Sequence, residues 1–72
     1  MKEFLKYVRA WLNEPRNRSL EDYHYSCRKV MGERDFRRII RGFLSARYLQ
    51  MYGMDIPKSM LTRATTEYIK TM

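Results

Sequence analysis

Residues 32–53, GERDFRRIIRGFLSARYLQMYG, hold the longest regular pattern in the chain. At 100° per residue, with Phe36 as origin, Ile39, Ile40, Phe43, Leu44 and Met51 all fall within about 80° of it, the apolar arc of an amphipathic helix. Glu33 and Asp35 sit where carboxylates suit the positive end of a helix dipole, and Gly53 is placed to stop the helix in a left-handed conformation. The spacing predicts a helix over Glu33–Tyr52, the longest in the chain. On the same wheel Arg34, Arg37, Arg38, Arg41, Tyr48 and Tyr52 occupy a separate arc at about 100° to 200°. Gly42 inside this helix costs about 1 kcal/mol relative to Ala and points to a close helix crossing.

Upstream, Ser19 with Asp22 three residues later resembles a capping box, which starts a second helix at Leu20. Leu20, Tyr23, Cys27, Val30 and Met31 make its apolar stripe, and Gly32 is the expected left-handed stop. Residues 13–19 are polar and centred on Pro15, and read as a basic loop. Before them Phe4, Leu5, Val8, Trp11 and Leu12 share one face of a first helix, from Lys2 to about Asn13. Downstream, Pro57 opens a fourth helix reaching about Lys70. Pro57, Met60, Leu61, Ala64 and Tyr68 form its apolar stripe, with Ser59, Thr62, Arg63, Thr66 and Lys70 facing away. The expected fold is all-α: a compact four-helix domain, residues 1–72, with the long third helix at its centre.

Composition agrees with this pattern. Seventy-two residues suffice for one small domain, and a chain that is 44% hydrophobic and 14% aromatic has the residues needed to offset ordering entropy. Three glycines and two prolines are too few for the frequent tight turns of an all-β domain. Cys27 is the single cysteine, so neither an intramolecular disulfide nor a thiolate zinc cluster can form, and a reducing, cytoplasmic setting is expected. Charge interrupts the first nine residues every few positions, unlike the apolar run of a signal peptide. No stretch approaches the roughly 18 apolar residues of a membrane span, and no membrane partner is expected.

Groups suited to catalysis are sparse. His24 is the sole histidine, with only Glu21 and Asp22 on the preceding turn as ionisable neighbours of the kind a relay or metal site needs. It reads as a half-buried aromatic that titrates near neutrality. Cys27 reads as a small buried hydrophobe. Gly32, Gly42 and Gly53 are too widely spaced for a phosphate-binding loop. No catalytic residue, metal or cofactor is expected, and the chain reads as a non-catalytic binding protein.

The informative feature is the placement of charge. The formal net charge is +7, from 15 basic and 8 acidic residues. Arg28 to Arg47 holds seven basic residues against two acidic ones, a local net charge of +5. Ten of the fifteen basic residues are arginine, whose planar fork bonds phosphate or carboxylate bidentately. The expected function is a small basic regulatory protein binding nucleic acid through Arg34, Arg37, Arg38 and Arg41, with Tyr48 and Tyr52 extending the contact and Arg16, Arg18 and Arg63 as auxiliary contacts. The alternative is an adaptor or inhibitor docking onto an acidic surface of a larger protein, alone or as a homodimer. Neither glycine junction carries the apolar spacing of a helix-turn-helix, although Ser59, Thr62, Arg63, Thr66 and Lys70 share a face that DNA could contact. Arg47 breaks the apolar arc of the third helix and must snorkel or find a partner, either Glu21, Asp22 or Glu67 within the chain, or a group on a second copy or a bound protein. Met54, Met60 and Met72 are expected to be exposed, adaptable apolar surface.

Overall fold

Helix forms where the apolar spacing places it. In the computed structural model, which describes residues 2–72, α1 spans Lys2–Leu12, α2 Arg18–Val30, α3 Glu33–Tyr52 and α4 Lys58–Lys70. Among the described residues there is no strand, and the domain is all-α with four helices. Among the described residues no helix is long and apolar enough to cross a membrane. The bounds of α3 match the sequence expectation at both ends. Gly53 closes it at φ +70°, with its amide donating to the Leu49 carbonyl at 2.8 Å.

Three expectations fail locally. Ser19 caps nothing, because Pro15 opens a 3-10 turn over Pro15–Asn17 that runs directly into α2 at Arg18. The Asn17 side chain instead donates to the Trp11 carbonyl at 2.7 Å, which also accepts from the Glu14 amide at 3.2 Å at the end of α1. Gly32 is extended at φ −64°, ψ 155°, so α2 ends by straightening through Met31 and Gly32 rather than by a left-handed turn. Gly42 marks no crossing: a methyl group built there meets nothing within 4 Å.

The core draws on every helix: Phe4, Val8 and Leu12 of α1, His24 and Cys27 of α2, Phe36, Ile40 and Leu44 of α3, and Ala64, Thr65 and Tyr68 of α4, with Ile56 from the α3–α4 loop. The short 53–57 loop and the Arg37 to Thr66 hydrogen bond make α3 and α4 an antiparallel hairpin. α1 lies along α3 in the opposite sense, since Phe4 meets Tyr48 and Tyr52 while Trp11 meets Phe43. α2 is tied to α4 by His24 on Tyr68 and by Arg28, whose Nη1 donates to the Ile69 carbonyl at 3.4 Å.

The buried stripe of α2 is Leu20, His24, Cys27 and Met31, turned by about 30° from the expected one. That rotation leaves Tyr23 52% and Val30 81% exposed. The cause lies on α4 and α3: Tyr68 offers a hydroxyl and Phe43 a ring, so the imidazole of His24 is fully buried while Tyr23 and Val30, expected inside, turn outward. Met60 and Met72 are half-buried against the core, and of the three methionines expected outside only Met54 is exposed.

Candidate functional site

Arg34, Arg37, Arg38 and Arg41 are three and four residues apart on α3, so their side chains emerge on one side over about 10 Å of helix. Arg34, Arg38 and Arg41 are exposed and Arg37 is half-buried. Together they line one shallow concavity of about 310 Å³. Arg37 reaches across the helix hairpin, Nη2 donating to Thr66 Oγ1 at 3.1 Å, which fixes one guanidinium at the seam between α3 and α4.

No carboxylate neutralises this group. Among the described residues the one salt bridge joins Arg16 Nε to Glu14 Oε2 at 2.8 Å. Glu33 and Asp35 are exposed on the same helix without pairing to the arginines. The helix therefore carries like-charged neighbours at Arg34–Arg37, Arg34–Arg38, Arg37–Arg41 and Arg38–Arg41, which at low ionic strength cost about 1–2 kcal/mol in all. A solvated surface would avoid that cost by interspersing the signs.

The other expected residues divide. Arg63 is exposed on α4 and lines a second concavity with Thr62, Thr66 and Glu67, so through Thr66 it adjoins the α3 arginines. Arg16 and Arg18 belong to the 3-10 turn and the start of α2, away from that seam, and Arg16 already holds Glu14. Tyr48 and Tyr52 share the arginine side of α3 but sit beyond it, nearer the C-terminus. Tyr48 packs edge-on against Phe4 with centroids 5.3 Å apart, and Tyr52 leans on Tyr48 at 4.5 Å. Tyr48 is half-buried, whereas Tyr52 keeps 42% of its surface exposed. Leu49 and Met54 are also exposed and extend this apolar end. Leu49 was legible in the sequence, since it falls near 220° on the α3 wheel, at the margin of the arginine and tyrosine arc.

Arg47 is resolved within the chain, but not by an ion pair. Its guanidinium lies 4.0 Å over the Trp11 ring and Nη1 donates to Gln50 Oε1, while Nε is buried without a partner. Neither Glu21, Asp22 nor Glu67 is within salt-bridge reach of it. The ring face supplies an electrostatic partner for the guanidinium at the edge of the small core but leaves Nε unpaired.

His24 is not half-buried: 1% of its surface is exposed. Nδ1 and the Tyr68 hydroxyl share a hydrogen bond of 2.9 Å, and the ring meets Phe43 edge-on at 4.7 Å. Burial holds the imidazole below its ordinary range and pushes the Tyr68 phenol up to about 12, against the opposing influence of Arg9 over the Tyr68 ring. Both groups are neutral at pH 7 and sealed from solvent. No family model, curated protein or solved structure matches the chain.

Proposed function

We propose that this chain is a non-catalytic nucleic-acid-binding protein whose contact surface is the arginine side of α3, continued onto α4 by Arg63. The observation that carries the proposal is the grouping of Arg34, Arg37, Arg38 and Arg41 around one concavity with no carboxylate partner. Over the 10 Å or so that they span, one DNA strand presents about three phosphates. Regular single-sign charge is what a nucleic-acid backbone supplies, whereas folded protein surfaces mix acidic and basic side chains. The like-charge repulsion stored in α3 is relieved when phosphates replace the released counterions.

Fluorescence anisotropy with labelled oligonucleotides tests this. Binding is expected at low salt, with a log–log slope of about −2 for three neutralised phosphates of a single strand, a loss of roughly twenty-fold between 50 and 200 mM salt. Exchanging all four arginines for glutamine should abolish it while circular dichroism stays helical. If neither single-stranded nor duplex nucleic acid is bound at low salt, the proposal fails; retention of a specific acidic protein on immobilised wild-type chain, lost with the same variant, would then establish the adaptor alternative.

A further inference from the structure

From the relation between the arginines and the aromatic end of α3, and resting on the nucleic-acid reading above, we infer that the ligand is a single strand with unpaired bases rather than a duplex. The side of α3 that faces solvent is bipartite. Its N-terminal half presents Arg34, Arg38 and Arg41; about 16 Å beyond Arg41 along the axis stands Tyr52. Tyr52 is held by its contact with Tyr48, and Tyr48 by buried Phe4 of α1, so the platform is anchored in the core while its outermost ring remains substantially exposed. Leu49 and Met54, 48% and 60% exposed, flank it.

An anchored aromatic in line with a row of cations gives a base a surface to stack on while the phosphates are neutralised. In a duplex the base faces are already stacked and Tyr52 would contribute nothing. The shape of the basic surface points the same way. α3 and α4 lie side by side, and Arg37 is bonded across the seam to Thr66. Two adjacent helices make a surface about 20 Å wide, against a major groove of about 12 Å, so this face cannot enter the groove to read paired bases and is left with backbone and unpaired bases. From Arg34 to Tyr52 the path is about 27 Å, at most some eight nucleotides, the number for a fully stacked strand at about 3.4 Å each.

The test compares four fluorescent probes at one salt concentration with the wild-type chain: a 12-nucleotide thymidine strand, the uridine strand of equal length, a 12-base-pair duplex, and a 12-unit abasic strand that keeps the phosphates without bases. Either or both of the first two are expected to bind at least tenfold more tightly than the duplex and the abasic strand, which separates DNA from RNA as the source. Tyr52→Leu should weaken single-strand binding about tenfold with the salt slope unchanged, and Tyr52→Phe should restore it. Equal or tighter binding of the duplex, or equal binding of the abasic strand, overturns the single-strand inference and leaves the basic face standing. If no probe binds, both fall. The wild-type comparison decides the matter even if Tyr52→Leu does not fold.

Discussion

Gly42 stands exposed in the middle of α3 with open space where a side chain would be. Its only local consequence is the entropy it adds to the unfolded chain, so Gly42→Ala is expected to stabilise the protein by about 0.5–1 kcal/mol, read as a higher midpoint in urea denaturation. His24 makes the opposite kind of contribution. The unfolded imidazole protonates near pH 6.5, while burial holds the folded one lower. Stability is complete above about pH 6.5 and is lost as the pH falls from there toward the folded-state value, because the unfolded chain then binds the extra proton. Urea midpoints measured at about pH 7.5 and pH 5 should differ in the wild type and differ less in His24→Gln. Few other groups interfere, since Arg16–Glu14 is the one salt bridge among the described residues. The cost of Gly42 in a helix was legible from the residue alone, but the open space beside it was not, and neither was the burial of a histidine set between tyrosines.

Among the elements, the limits and buried arc of α3 were legible because both its ends carry their own signals and its apolar arc is broad enough to leave one orientation. α2 was not. Its apolar residues span an arc that allows a turn of about 30° either way, and the choice was made by Tyr68 and Phe43, which belong to other helices. Val30→Lys separates the two orientations. With Val30 in solvent the exchange should shift the free energy of unfolding by no more than about 0.5 kcal/mol; a loss of several kcal/mol would mean that the stripe read from the sequence is the buried one. Met31 and Gly32, which join α2 to α3 in extended conformation, show the same division. The break between the helices could be read from the glycine, but its geometry was set by how the two helices dock.

For the whole molecule, five of the seven net positive charges lie between Arg28 and Arg47, and four of the arginines in that stretch share one side of α3. Exposed like charges repel within a Debye length of about 10 Å at 0.1 M salt, so the wild type should gain stability as salt rises. Arg38→Gln combined with Arg41→Gln should be more stable than wild type at low salt by up to about 1 kcal/mol, with the difference vanishing near 1 M. Thermal melts across a salt series measure this. A stabilised variant that binds oligonucleotide less well would show that the arginines are retained at the expense of the fold. The candidate face itself was half legible. The four arginines follow from i, i+3 and i+4 spacing alone, but Thr66 as the anchor of Arg37, Phe4 as the backing of Tyr48 and the pairing of Arg47 with Trp11 all join residues 29 or more positions apart.

Helices, their limits in α3, and the existence of a single-sign arginine arc were determined by the sequence alone, because helix formation and side-chain direction are set within four residues. Which arc of α2 turned inward, whether His24 met solvent, what received Arg47, and whether the tyrosines of α3 stood free or braced were decided only in the tertiary structure. Each depends on the partner surface offered by a distant segment, and a small core admits a polar ring or a guanidinium only where that surface supplies a hydroxyl or an aromatic face.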